Sequence, residues 1–197
     1  MIDRSEMVSV FRRLSLEAGE IVMKFYDSES FDIKLKADNS PVTAADKEAD
    51  THISRGILEY FSSVPLVTEE QVQTHTRKYK SFVIVDPLDG TKEFINRNGD
   101  FTVNIGLIDS GIPTLGVVST PVDNCVWAGS LADGALRIKD SVQQKIGVRK
   151  ANQQKITVVA SRSHRSPELE TFISYFSSTL SNTSFNALYT DFTFPDP

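Results

Sequence analysis

The chain has 197 residues, 40% of them hydrophobic, and a formal net charge of −5; this fits one globular domain, or one and a half, and argues against long nucleic acids, which require a clustered basic footprint. Its single cysteine, Cys125, excludes an internal disulfide and fits a reducing cytosol. No apolar window of about 18 residues is present to span a bilayer, and Met1 to Glu6 is too polar for a secretion signal, so a cytoplasmic protein is expected, with peripheral attachment at the inner membrane left open.

Met7, Val10, Phe11, Leu14, Ala18, Ile21, Val22 and Phe25 recur at spacings of three and four, which predicts an amphipathic first helix. Ile33 and Leu35 alternate with Lys34 and Lys36, a short strand with one exposed face. Asp38 to Pro41 reads as a loop. A second helix opens at Thr43, with the stripe Ala45, Ala49, Ile53, Ile57 and Phe61. Val64 to Thr68 is a buried strand that ends at Glu69 and Glu70, residues 71–80 form a polar, mobile loop, and Ser81 to Val85 is the next strand. After Gly99 the punctuation predicts an antiparallel meander: Phe101 to Leu107, a turn at Ser110-Gly111, Leu115 to Ser119, a loop at Pro121 to Asn124, then Cys125 to Ala128 and Ala135 to Ile138 around Asp133-Gly134. A second section starts near Gln153, with a strand over Ile156 to Ala160 and a helix capped by Ser166, with Pro167 at its first position. Leu169, Phe172, Ile173 and Phe176 supply that helix's apolar face, and Ser178 to Pro197 has no convincing period.

The segment Asp86-Pro87-Leu88-Asp89-Gly90-Thr91 carries the strongest chemical signal. Two carboxylates follow a buried strand directly. Pro87 holds Asp86 extended and Gly90 frees the turn, so both acids can point to one side with the Leu88 carbonyl between them, a donor set that suits Mg²⁺. The alternative is a turn whose aspartates accept hydrogen bonds from nearby backbone N–H groups. Glu69 ends another core strand, and open α/β sheets place their sites beyond the carboxyl ends of strands. Three acids gathered from two strand ends repel unless a cation lies among them; a solvated Glu69-Glu70 pair is the bland reading. Backbone N–H groups at the next helix start, after Gly90 and Thr91, are free to meet a phosphate.

Thr43-Ala44-Ala45-Asp46 matches a capping box with Asp in place of the usual Glu; alternatively, Asp46 orients the Thr91 hydroxyl and, through it, a water. Ser161-Arg162-Ser163-His164-Arg165-Ser166 joins a strand to a helix start and reads either as an anion site or as an ordinary capping loop with solvated arginines. His52 and His75 have no partner at ligand spacing, and no zinc motif, P-loop, dinucleotide glycine fingerprint or Gly-x-Ser-x-Gly elbow is present. An acidic protein can still take a small phosphorylated substrate when metal ions sit between carboxylates and phosphate.

Val85 to Phe94, with Lys36 to Asp46 and Ser161 to His164, resembles the signatures of the inositol monophosphatase superfamily, in its 3′(2′),5′-bisphosphate nucleotidase branch. The resemblance runs from the first helix to about Phe176. It implies an α/β fold, the layered αβαβα sandwich of the sugar phosphatases, with a metal-binding part over 1–152 and the truncated start of a second α/β domain over 153–197. It also implies two or three Mg²⁺ ions. Glu69, Asp86 and the Leu88 carbonyl would hold one, and Asp86 and Asp89 would share in a second. Asp46 and Thr91 would orient the attacking water. Gly90 and Thr91 would meet the scissile phosphate, with Glu69, Leu88 and Asp89 lining the same pocket, and Ser161 and His164 would contact the nucleotide. The implied reaction converts 3′-phosphoadenosine 5′-phosphate to AMP and phosphate.

The family's Gly-Ser-Ser-Leu-Lys segment and Trp-Asp-Thr-Ala-Ala-Gly helix start are missing; Trp127 lies in the meander, and Asp191 and Asp196 are not assigned to the absent ligand. An incomplete second metal site and impaired turnover are therefore expected. Two other readings stand beside this one: an inositol-phosphate phosphatase, and a non-catalytic paralogue or fragment that binds only metal or nucleotide. A phosphatase with an Asp-x-Asp-Gly-Thr nucleophile is disfavoured, because the acids here are three apart rather than two.

Overall fold

The computed structural model describes residues 4–28, 33–35, 41–76, 78–150, 155–160, 166–179 and 184–189. They fall in two compact units, Met1–Gly147 and Val148–Pro197.

The first helix, α1 (Arg4–Tyr26), buries Met7, Val10, Phe11, Leu14, Ala18 and Val22, the stripe its period predicts. Strands β1 (Ile33–Leu35) and β2 (Pro41–Thr43) pair antiparallel, Ile33 opposite Thr43; the predicted loop therefore gives way to a strand at Pro41. Helix α2 (Ala44–Tyr60) buries Ala45, Ala49, Ile53 and Ile57, and also the polar Asp46, Asp50 and Ser54. Strand β3 (Leu66–Thr68) is followed by a 3₁₀ turn over Val72–Thr76, within the segment expected to be a polar, mobile loop. Then come β4 (Ser81–Asp89), the one-turn helix α3 (Thr91–Ile95), β5 (Thr102–Asp109), β6 (Ile112–Thr120), β7 (Cys125–Ser130), β8 (Gly134–Lys139) and β9 (Val142–Ile146).

Strands β3 to β9 form one seven-stranded sheet in sequence order. Only β3 and β4 are parallel; every later pair is antiparallel. The hairpin turns have a local cause. Ser110 (φ 53°) and Gly111 (φ 79°) are both left-handed, the geometry of tight turns whose twist matches the flanking strands. Strand β9 shows no apolar alternation, since its first four residues are exposed, which is why periodicity misses it.

Helices α1 and α2 cover one face of the sheet, α1 over β5, β6 and β7 and α2 over β3 and β4. Between them and the strands lies the core, with Phe11, Leu14, Ile53, Ile57, Val83, Val85, Phe101 and Ile105. The two helices approach closely at Gly56, where an added β-carbon would overlap the Leu14 Cδ2 methyl. Leu14 is itself 1% exposed and cannot swing aside. Gly56→Ala gains about 1 kcal/mol of helix propensity against roughly 1–3 kcal/mol of overpacking. A fall in melting temperature of about 2–4 °C is expected; a rise would show that Leu14 has room.

The second unit carries β10 (Lys155–Ala160), α4 (Pro167–Thr179) and β11 (Ser184–Tyr189), with β10 and β11 parallel and in register from Lys155↔Ser184 to Ala160↔Tyr189. This is a strand–helix–strand crossover, one strand more than the sequence pattern predicts. Ser166 caps α4 as expected, its Oγ accepting from the Leu169 N–H at 3.3 Å. Among the described residues, no helix is long and apolar enough to cross a membrane.

Candidate functional site

Strand pairing alone brings the acids together. Thr68 lies opposite Val85 in the parallel β3–β4 ladder, so Glu69, just past the end of β3, comes beside Asp86, which is still within β4. The Glu69 N–H donates to the Val85 carbonyl at 3.1 Å and holds that alignment.

Asp89 joins them through an irregularity in β4. Asp86 stands opposite Asn104 and Asp89 opposite Thr102, so three steps on β4 match two on β5. In a regular strand an odd spacing sends side chains to opposite faces; one extra residue, a β-bulge at Pro87-Leu88, restores the same face. The Asn104 amide, opposite Asp86, accordingly donates to Asp89 Oδ2 at 3.1 Å. Asn104 is a site residue that sequence reasoning misses. Its signal is a polar side chain in the middle of β5, between Val103 and Ile105, but only the register shows what it faces.

Past Asp89 the chain turns at Gly90, which has φ 91° and precedes α3. A β-carbon there would sit 2.7 Å from the Asp100 carbonyl oxygen and 3.2 Å from Phe101 Cα, so only glycine fits. Behind the turn, Tyr26, Phe94 and Phe101 pack with ring centroids 4.9–5.4 Å apart. Phe94 and Phe101 are fully buried, which anchors α3.

The electrostatics are those of crowded carboxylates. Burial pushes the Asp86 carboxyl up to about 8, reinforced by the charges of Glu69 and Asp89 and by a hydrogen bond with Glu69. The Leu88 N–H, which donates to Asp86 Oδ1 at 3.3 Å, opposes that rise. Burial raises Asp89 as well, followed by the charge of Glu69, while the Asn104 amide and the Gly90 N–H pull it down. The turn-forming role expected of the aspartates is thus present, and it coexists with mutual repulsion. Among the described residues, no group of three or more His, Cys, Asp and Glu side chains is gathered closely enough to hold a metal ion. The set is a carboxyl pair, Glu69 and Asp86, with Asp89 beside it. Its chemistry fits a hard divalent cation: anionic oxygens short of positive charge, with the Leu88 carbonyl alongside.

Thr91 donates its hydroxyl proton to that carbonyl at 3.2 Å, which fixes the side chain at the mouth of the turn. Asp46, 2% exposed, lies in the first turn of α2, on the helix that packs over β3 and β4. Ser161 and His164 lie outside the described residues.

The profile of the inositol monophosphatase family matches residues 3–191. The 3′(2′),5′-bisphosphate nucleotidase CysQ of Escherichia coli (strain K12) is 46% identical over 168 residues, covering 82% of this chain and 65% of that protein. The CysQ of Buchnera aphidicola is 34% identical over 171 residues, covering 85% of this chain and 64% of its own. The chain thus spans about 65% of the length of the curated relatives it matches. Among solved structures, CysQ from Bacteroides thetaiotaomicron, described as a bacterial member of the inositol monophosphatase family, superposes with a TM-score of 0.73 at 30% identity, covering 93% of this chain and 72% of that one. An IMPase from Thermotoga maritima superposes with a TM-score of 0.72 at 21% identity, covering 96% and 69%; at that identity the likeness speaks for the fold.

Proposed function

The chain belongs to the inositol monophosphatase family, and from that premise we propose that it is a magnesium-dependent phosphomonoesterase that hydrolyses 3′-phosphoadenosine 5′-phosphate to AMP and phosphate. The observation that supports the reading is the charge interaction of Asp86 with Glu69 and Asp89 beside the end of β3, where Asp86 is raised by burial and by its two acidic neighbours. Identity of 34–46% to bisphosphate nucleotidases favours the nucleotide over an inositol phosphate.

In this reading Glu69, Asp86, Asp89 and the Leu88 carbonyl hold Mg²⁺. When bound, the ion supplies Lewis acidity: it lowers the pKa of a bound water and offsets charge on the attacking and leaving oxygens. Asp46 and Thr91 orient the attacking water. Gly90 and Thr91 meet the phosphate through backbone groups, and the left-handed Gly90 lets the main chain approach where a side chain would block it. Ser161 and His164 contact the nucleotide part.

A substrate panel tests this. With Mg²⁺, the chain is expected to release phosphate fastest from 3′-phosphoadenosine 5′-phosphate, slower from inositol 1-phosphate, and from neither in EDTA. Faster turnover of the inositol ester would move the protein to the other branch of its family. A trapped phospho-aspartyl intermediate would replace water attack with a covalent mechanism. Metal-dependent binding of AMP without turnover would leave a binding protein.

A further inference from the structure

The row Asp46, Asp50, Ser54 runs along α2 at intervals of four residues and is buried at each position, 2%, 4% and 7% exposed. Residues at that spacing share one helix face, and each step advances about 6 Å along the axis. A helix face that buries a carboxylate and a hydroxyl needs polar partners for them. Gln71 supplies both: its Nε2 donates to Asp50 Oδ2 at 2.7 Å and to Ser54 Oγ at 3.1 Å. Asp50 Oδ1 has no hydrogen-bond partner among the described residues, so the carboxylate relies on Gln71.

Gln71 stands two residues after Glu69, inside a turn that is tied down at several points. Its carbonyl accepts from the Thr74 N–H at 2.8 Å and from the Thr74 hydroxyl at 2.6 Å. The Thr68 N–H donates to Thr74 Oγ1 at 3.1 Å, and the His75 ring bonds the Thr68 carbonyl at 2.6 Å. Glu69 is therefore held from two sides: by Val85, through the sheet, and by α2, through the Gln71 side chain.

We propose that Gln71 is a positioning residue: by bonding Asp50 and Ser54 it fixes the Glu69 turn against the helix that carries Asp46, and so sets the spacing of two acids contributed by different elements. The inference rests on the metal-site reading above. Its physical basis is that Asp50 is buried, so breaking its bond from the half-buried Gln71 amide leaves a carboxylate oxygen without a donor, which is costly. Once it is broken, the turn moves on the remaining backbone bonds and Glu69 moves with it.

The test measures Mg²⁺ affinity of the full chain by calorimetry, a readout independent of turnover. Gln71→Met, which keeps length and removes the amide, and Asp50→Ala are each expected to weaken binding about tenfold, the lower end of what loss of a supporting partner costs a metal site. Their combination is expected to be no worse than either alone, because they cut the same tie. Asp50→Asn, whose amide oxygen still accepts from Gln71, is expected to stay close to wild type. Melting in EDTA reports whether each variant is folded, and Gln71→Glu serves as a second probe, since it sets a carboxylate against Asp50. Wild-type affinity in both Gln71 variants, or effects of Gln71→Met and Asp50→Ala that add, overturns the proposal. Asp86→Asn separates it from its premise: if that variant keeps wild-type affinity, the metal-site reading falls; if it loses affinity while Gln71→Met does not, only the positioning role falls.

Discussion

Mg²⁺ is expected to raise the melting temperature of this chain by roughly 5–10 °C when present at about a hundred times its dissociation constant, and Asp86→Asn is expected to remove most of that gain. The first figure follows from linkage: a ligand at that excess stabilises by about 2.7 kcal/mol, and each kcal/mol moves the midpoint of a protein this size by about 2–4 °C. The second follows from the position of Asp86, between Glu69 and Asp89 in the site. Supporting partners of a metal site are worth roughly 10–100-fold in affinity, and loss of a ligand carboxylate should exceed that. The same substitution should act in the opposite direction on the metal-free chain. There the Asp86 carboxyl must be buried beside two other acids, a cost the neutral amide does not incur. Asp86→Asn is thus expected to melt higher than wild type in EDTA and lower than wild type in Mg²⁺. Curves that cross in this way distinguish a cation site from a structural aspartate. Equal stabilisation of both proteins by Mg²⁺ would place the ion elsewhere.

Metal-free stability is expected to fall as pH rises from about 4 to about 8, and Mg²⁺ affinity to rise over the same range. Asp86 moves from 3.8 to about 8 on folding, so between these values the native state holds a proton that the unfolded chain has released. Stability then declines with pH by up to about 1.4 kcal/mol per unit for that one proton, and levels off above the folded value. Asp89 is raised as well, which adds to the slope. Since the cation needs the ionised carboxylate, binding must expel the proton, and affinity should improve about tenfold per pH unit up to about 8. Wild type minus Asp86→Asn isolates this contribution from the histidines. A difference curve that is flat from pH 5 to 8 would show Asp86 already ionised in the native state.

Much of this could be read in the sequence where one element sufficed. The stripes of α1 and α2 and the runs before Glu69 and Asp86 have strong apolar patterns, and the acids at their ends point to the chemistry. Properties that arise only on pairing are hidden. Pro87 is the one hint of a bulge in Ser81 to Asp89, since an interior strand tolerates proline only where the ladder is broken, but the extra residue is extra only relative to β5. Asn104 and Gln71 look like ordinary polar residues until the fold sets them against Asp89 and Asp50. Asp50 carries one usable hint, an acid four residues after Asp46 and four before Ser54 on a helix whose stripe is otherwise apolar. Strand β11, Ser-Phe-Asn-Ala-Leu-Tyr, lies in a stretch rich in Ser, Thr and Asn, and it becomes a strand by pairing with β10.

The irregular step at Pro87-Leu88 makes the count of residues between Asp86 and Asp89 matter more than their identity. Exchanging Leu88 for another large apolar side chain leaves the parity intact. Dropping either residue would straighten the strand: the two acids would then stand two apart and still share a face, but the outward step of main chain that carries the Leu88 carbonyl would be lost. The cost of a deletion here would fall on a main-chain oxygen rather than on the carboxylates.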